Sequence, residues 1–335
     1  MPLQLATKAY RRPFRQPLQT AQGLWPWREG LLVQLTDPSG RAGYGEIAPI
    51  PWFGNETLEA AWRYCELHRG TISDDLTPGD DLPATQFGLE SALADLQGSP
   101  TNGELPNSPF ALAEPLICGL LPAGEKALTA WLTLVRQGTQ TLKWKIGAFP
   151  IDEEIGWLGL LMQALPAGCR LRLDANGGLS VPLAERWLGW CDRDRTSSPS
   201  PTLEYLEQPL PPSQFEPMQR LSQTFQTPIA LDESVATLTQ LEQCERQGWT
   251  GRYVIKPAIA GSPRRLRTLC QPLAQRLVFS SAFETVIGRR AALALAMECY
   301  QSVQLSAPPA LGFGTLGWFK DDWDTLTPAQ LWARL

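Results

Sequence analysis

The chain has 335 residues, 43% of them apolar, and a net charge of −5. That length suits one large barrel with a smaller companion domain, and the apolar share is enough for a sizeable core. The acidic balance argues against a nucleic-acid partner. No apolar run approaches the roughly 20 residues that span a bilayer, so no membrane partner is expected, and the start, Met1-Pro2-Leu3-Gln4, shows no signal peptide.

Seven scattered cysteines, odd in number and without a C-x-x-C pair, fit a reduced, cytoplasmic setting. The only histidine is His68. A Ser-His-Asp triad, a Cys-His pair or a multi-His zinc site would each have to use it. It lies near the end of a helical stretch, where a histidine is most simply a surface residue beside the helix C-terminus. Proton chemistry is left to Lys, Asp, Glu or Tyr.

In chain order, residues 3–14 and 30–36 alternate as strands, Asp37-Pro38-Ser39-Gly40 marks a turn, and residues 43–47 follow as a third strand. Helical patterns cover 56–68 and 84–97, and 99–103 reads as a loop leading to a domain boundary near residue 112. Short apolar segments then recur at 115–120, 141–146, 170–175, 203–207, 228–233, 253–256 and 277–281. Amphipathic helices separate most of them, for example 152–164, 182–191 and 236–247. Strands alternating with helices predict a parallel sheet, and this many units favour a closed barrel. An eighth strand is weakly marked around 310–316, and 195–201 is a loop by composition. There is no G-x-G-x-x-G after a strand and no P-loop, which removes the main signature of a dinucleotide enzyme.

Charged residues fall where these apolar segments end: Lys143 and Lys145, Asp174, Glu207, Asp232 with Glu233, and Lys256. They recur roughly every 30 residues, about one βα unit. Strand ends of a barrel gather at one mouth, so these residues should converge. Asp174, Glu207 and Asp232 could each be a helix N-cap or half of a surface ion pair. Three carboxylates at equivalent strand ends would repel one another, and a divalent cation such as Mg²⁺ resolves that repulsion. In Lys143-Trp144-Lys145, positions i and i+2 share a face, so both lysines point inward and Trp144 points to the helix layer. Two buried ammonium groups would be costly in an inert core. Beside a metal and another lysine, one of them gains a lowered pKa and becomes a usable base.

These residues resemble the enolase superfamily in its muconate-lactonizing-like branch. Lys143-Trp144-Lys145 is similar to that branch's K-x-K. Leu173-Asp174-Ala175-Asn176-Gly177, Tyr205-Leu206-Glu207-Gln208-Pro209, Ala230-Leu231-Asp232-Glu233-Ser234 and Ile255-Lys256-Pro257 resemble the next four strand-end motifs in order and spacing. The resemblance implies an α/β fold: a modified TIM barrel, (β/α)₇β, at 113–316, with an N-terminal α+β capping domain at 1–112 joined by 317–335. It implies Asp174, Glu207 and Asp232 as ligands of Mg²⁺, or of Mn²⁺ in its place. Lys145 would be the catalytic base, Lys143 its tuning neighbour, Lys256 the opposing cation, and Asn176 and Glu233 supports behind the ligands.

Three further segments, Arg12-Pro13-Phe14, Thr20-Ala21-Gln22-Gly23 with Arg28-Glu29-Gly30, and the run from Gly43 to Gly54, resemble the N-terminal region of the o-succinylbenzoate synthase family. The implied reaction is a lyase step on a small carboxylate, the dehydration of 2-succinyl-6-hydroxy-2,4-cyclohexadiene-1-carboxylate to o-succinylbenzoate in menaquinone or phylloquinone biosynthesis, through a metal-stabilised enediolate. Ser280 and Ser281 would hold the succinyl end through hydroxyl and backbone N–H groups. Arg172, two residues before Asp174, would either meet an anionic group or form a salt bridge within the barrel. The alternative activity within the superfamily is N-acylamino-acid racemase or dipeptide epimerase. A binding protein that had kept only the barrel would lack a ligand or a lysine, and none is missing. Trp25, Trp27 and Trp52 could line an apolar pocket over the mouth. The sequence sets no oligomeric state.

Overall fold

A computed structural model of the protein describes residues 2–20, 23–73, 77–98, 116–194, 201–305 and 307–335. The first part is an antiparallel sheet in the order β3-β2-β1-β4, from β1 (Pro2–Thr20), β2 (Gly23–Thr36), β3 (Ala42–Ile47) and β4 (Gly70–Ser73). Between β2 and β3 the Asp37 carboxylate accepts from the N–H groups of Ser39 and Arg41 at 2.9 and 3.0 Å, which closes the expected turn. Alternation assigns the two faces of β2. Leu31, Val33 and Leu35 join the main core, while Leu32 packs with Tyr10, Ile287 and Leu331 on the opposite side. Two helices follow this sheet's strands, α1 (Leu58–Leu67) and α2 (Pro83–Leu96). Most residues of α2 are buried, in keeping with a helix packed on several sides.

The parallel unit contains seven strands in unbroken order: β5 (Gly119–Leu121), β6 (Thr141–Lys145), β7 (Arg170–Asp174), β8 (Thr202–Glu207), β9 (Ile229–Leu231), β10 (Arg252–Ile255) and β11 (Leu277–Phe279). Helices α3 (Ala127–Arg136), α4 (Ile151–Ala164), α5 (Val181–Asp194), α6 (Phe215–Thr224) and α7 (Leu238–Arg246) connect β5 through β10. The short α8 (Pro257–Ala260) and α9 (Pro263–Leu273) lead to β11, and α10 (Val286–Ser302) follows it. Leu171, Leu173, Leu206, Ile229 and Leu231 are all almost fully buried, the near-continuous apolar run of a parallel sheet covered on both faces.

The weakly marked eighth strand is reduced to two isolated parallel bridges, Ile117 with Leu311 and Ser280 with Gly312. Cys118 N–H donates to the Leu311 carbonyl at 2.8 Å, and Gly312 N–H donates to the Phe279 carbonyl at 2.7 Å. Residues 311–312 therefore join the first strand to the last and close the ring. A side chain at 312 would meet Ser280 Oγ at 2.6 Å, so the close approach needs glycine.

The C-terminal segment returns to the antiparallel sheet. Phe14 bridges Phe319, and Arg12, wholly buried, donates to Asp321 and Asp324 at 2.8 Å each while lying 3.8 Å over the Phe319 ring. The last helix, α11 (Pro328–Arg334), places Leu331 against Leu32. The expected loop at 99–103, the boundary near 112 and most of the loop at 195–201 lie outside the described residues.

Candidate active site

The strand ends converge as their spacing requires. Lys145 of β6 stands beside Asp174 of β7, and Asp174 beside Glu207 of β8, in the ladder register. Asp232 follows β9 directly, and Lys256 follows β10 as the N-cap of α8. All five, with Lys143, Arg172, Asn176, Glu233, Ser280 and Ser281, line one cavity of about 800 Å³. Trp144 points away from it and is fully buried, as the i, i+2 rule predicts.

The charges are paired inside this cavity. Lys143 Nζ lies 2.7 Å from Asp174 Oδ2 and 2.9 Å from Glu207 Oε1, and Lys256 is ion-paired with Asp232. Lys145 is exposed at the mouth and has no ion-pair or side-chain hydrogen-bond partner among the described residues. Burial works against the Lys143 ammonium, but Asp174, Glu207 and Asp232 outweigh it and hold its pKa well above the ordinary lysine range. The lowered value expected for one lysine of the pair belongs to a site that holds a metal, whereas the charges nearest Lys143 here are carboxylates. Burial also opposes the Asp174 carboxylate, yet Lys143 and the Asn176 N–H keep its pKa below the usual range. Glu207 goes the other way, pushed up to about 8 by burial and by the charge of Asp174. Burial and Asp232 push Glu233 up to about 7; its Oε1 accepts from Asn176 Nδ2 at 3.4 Å and its Oε2 has no partner among the described residues.

The donor set fits a divalent cation. One cationic nitrogen already bridges Asp174 and Glu207, and the field of Asp232 reaches both Lys143 and Glu207. Three hard carboxylate oxygens are what Mg²⁺ prefers. Among the described residues no three such groups meet around one point, since Asp232 is turned to Lys256. Mg²⁺ would be held by Asp174, Glu207 and Asp232 once the lysines draw back.

Arg172 forms the salt bridge that was one of its two expected roles: its Nε donates to Glu204 at 2.7 Å; the residue also lines the cavity, and its buried Nη2 has no hydrogen-bond partner among the described residues. The serines need a correction. Ser280 N–H donates to the Ile255 carbonyl at 2.8 Å, continuing the β10–β11 ladder, and Ser281 N–H to the Gly312 carbonyl at 3.0 Å in the barrel closure, so both are already used. Only the hydroxyls remain in the lining, with Ser280 Oγ 3.2 Å from the Gly312 carbonyl and Ser281 Oγ 2.6 Å from Glu284. His68 is the C-cap of α1, with Nδ1 2.8 Å from the Tyr64 carbonyl, and takes no part in the cavity.

The opposite wall is aromatic. Trp25, Trp52, Phe53, Phe283 and Trp318 line it, and Trp25 meets Trp52 edge-on at 4.9 Å. Trp27, expected with them, instead lies outward under the Arg11 guanidinium at 4.7 Å. Phe53 lies 4.7 Å from Lys256 Nζ, a cation–π contact that joins the two walls. Sequence reasoning missed Phe53, Phe283 and Trp318 as lining residues. It also missed two buried side chains that fix the segment behind the serines. Arg28 donates to the carbonyls of Ala48, Pro49 and Ala282, the last two at 2.8 and 3.0 Å. Glu46 accepts from Tyr10 Oη at 2.5 Å and from the N–H groups of Thr285 and Gly288 at 2.9 Å, at the positive N-terminus of α10. Their only sequence signal was a charge inside an otherwise apolar strand.

Comparison with known proteins gives two matching family models, "MenC, N-terminal domain" over residues 9–96 and "Enolase C-terminal domain-like" over residues 127–307. An o-succinylbenzoate synthase of Thermosynechococcus vestitus is 40% identical, with 98% of each chain covered. The crystal structure of an o-succinylbenzoate synthase from Thermosynechococcus elongatus BP-1, with magnesium in its active site, superposes with a TM-score of 0.85 at 38% identity, covering 99% of this chain and 100% of that one. The L-Ala-D/L-Glu epimerase of Bacillus subtilis shares the fold at a TM-score of 0.69 and 20% identity, covering 95% and 91%.

Proposed function

Because the chain belongs to the enolase superfamily and, within it, to the o-succinylbenzoate synthases, we propose that it removes water from 2-succinyl-6-hydroxy-2,4-cyclohexadiene-1-carboxylate to give o-succinylbenzoate. The setting is menaquinone or phylloquinone biosynthesis in the cytoplasm; among the described residues no helix is long and apolar enough to cross a membrane. The observation that carries this reading is the convergence of Lys143, Lys145, Asp174, Glu207, Asp232 and Lys256 on a single cavity. Residues 1–112 with 317–335 form the capping unit and 113–316 the barrel, a division supported by the pairing of Phe14 with Phe319.

In the mechanism, the ring carboxylate sits above the acidic strand ends. Lys145, free of any partner, takes the proton from the ring carbon that bears this carboxylate. A bound Mg²⁺ supplies positive charge for the carboxylate oxygens on which the electron pair collects. Lys256, released from Asp232 once the metal takes that carboxylate, brings a second cation from across the mouth beside the Phe53 ring. The ring hydroxyl then leaves as hydroxide and takes the proton from the Lys145 ammonium, so one water departs and the ring becomes aromatic. Before the metal binds, Lys143 keeps Asp174 and Glu207 from repelling one another apart. The aromatic wall excludes water from the ring, and the hydroxyls of Ser280 and Ser281, with Arg172, face the succinyl end.

The test is an ultraviolet assay of purified protein with this cyclohexadiene and Mg²⁺, with and without EDTA. Metal-dependent loss of the diene absorbance with formation of o-succinylbenzoate is expected. A folded protein that binds Mg²⁺ and exchanges the α-proton of N-acylamino acids or dipeptides, but dehydrates nothing, would overturn the reading in favour of racemase or epimerase chemistry.

A further inference from the structure

We propose that Gln208 is the positioning residue that sets the separation of the three carboxylates, and so the affinity of the site for its divalent cation. This rests on the reading of Asp174, Glu207 and Asp232 as the metal ligands. Gln208 is wholly buried and does not line the cavity. It nevertheless binds to the segments that carry all three. It is the peptide neighbour of Glu207. Its side-chain Oε1 accepts from the backbone N–H of Asp232 at 2.9 Å and of Ser234 at 3.2 Å. Its Nε2 donates to Ser234 Oγ at 2.7 Å and to the Leu210 carbonyl at 2.8 Å. Its backbone carbonyl accepts from Gly177 N–H at 2.7 Å, in the loop that leaves Asp174, and its own N–H donates to the Ala230 carbonyl at 2.8 Å.

Two features say that this arrangement is more than filling. Gln208 has φ of +35°, a left-handed conformation rare outside glycine, and the six bonds around it hold the chain there. The backbone turns away from β8 at this point, which lets the side chain reach across to the end of β9. Asp232 itself lies after a strand of only three residues, so the ladder alone gives it little support. The side-chain Oε1 of Gln208 supplies what the short strand lacks, a fixed acceptor for the backbone N–H of Asp232. Groups that orient ligands from behind typically change metal affinity 10–100-fold when removed.

The experiment is calorimetric titration of Mg²⁺ into the wild type and into Gln208→Met, which keeps length and apolar bulk but makes none of the side-chain hydrogen bonds to Asp232, Ser234 and Leu210. Gln208→Asn, which keeps the amide on a shorter stem, is the second variant, and Ser234→Ala is the control that leaves the bond to Asp232 intact. Metal-free melts accompany each. The expected result is a Mg²⁺ affinity 10–100-fold weaker in Gln208→Met, at least fivefold weaker in Gln208→Asn, and within threefold of wild type in Ser234→Ala. If Gln208→Met does not fold, Gln208→Asn decides. Lowered melting temperatures with affinities within threefold of wild type in the folded Gln208 variants would overturn the assignment and leave Gln208 a structural residue only. No Mg²⁺ binding by the wild type would instead overturn the ligand reading itself, and this inference with it.

Discussion

The two walls of the cavity are built by different means. The charged wall, Lys143, Lys145, Asp174, Glu207, Asp232 and Lys256, comes from the ends of five consecutive strands, and hydrogen-bonded register fixes the spacing of Lys143, Lys145, Asp174 and Glu207. The aromatic wall, Trp25, Trp52, Phe53, Phe283 and Trp318, comes from four separate stretches of chain, held mainly by contacts between rings and by Arg28 and Glu46 behind them. The difference suggests a division of labour. On the proposed function, chemistry that tolerates little misplacement would sit on the sheet, and the surface that selects and covers the substrate on segments that can vary without disturbing it.

If that division holds, changes on the charged wall should act on turnover and those on the aromatic wall on binding. The largest effect is expected from Lys145→Ala. Removing a proton-transfer group costs about 10²–10⁴-fold in rate, so kcat should fall by that range while Tm stays near wild type, because the Lys145 side chain has no partner to lose. Steady-state kinetics beside a thermal melt checks this; turnover within threefold of wild type would remove Lys145 from the mechanism. Next comes Glu46→Ala, at the joint between the walls. It leaves the buried N–H groups of Thr285 and Gly288 without this acceptor, and unsatisfied buried donors cost about 1–3 kcal/mol each. A loss of about 3 kcal/mol in urea unfolding is expected, with KM raised more than kcat is lowered. Smaller again is Trp52→Ala, which removes an aromatic pair partner worth about 0.5–1.5 kcal/mol beyond its buried area. KM should rise roughly tenfold, about 1.4 kcal/mol, with kcat unchanged; an equal fall in kcat would break the comparison.

The same difference explains what could be seen in the sequence. The βα rhythm gives each strand end a predictable place, so Asp174, Glu207 and Lys256 could be picked out by interval alone. Barrel closure was only faintly legible: the expected eighth strand at 310–316 contains Leu311 and Gly312, whose peptide groups close the ring, but two residues carry no period. That closure takes the N–H of Ser281 and the β10–β11 ladder takes that of Ser280, so neither is left for the substrate role expected of it. The aromatic wall has no interval, and of three tryptophans expected there Trp27 turns outward beneath Arg11. Gln208 lay inside a motif used for its neighbour, and its role depends on a backbone turn that no side-chain pattern reports.

The smallest effect expected is also the sharpest probe of the charged wall. Without metal, Glu207 is pushed up to about 8 from an ordinary 4.5 by burial and by Asp174. Between those two values the folded protein holds a proton that the unfolded chain releases, so this group's contribution to stability falls as pH rises through that window. A divalent cation needs the ionised carboxylate and should expel the proton. Titration of Mg²⁺ at pH 7 in two buffers of different ionisation enthalpy should therefore give different heats, corresponding to the release of up to about one proton. By the same linkage, Mg²⁺ should raise Tm more at pH 8 than at pH 6. Identical heats in both buffers would mean that Glu207 is already ionised before the metal arrives. The ammonium of Lys143, 2.9 Å away, would then outweigh burial, and the charged wall would be a balanced ion-pair network before it is a metal site.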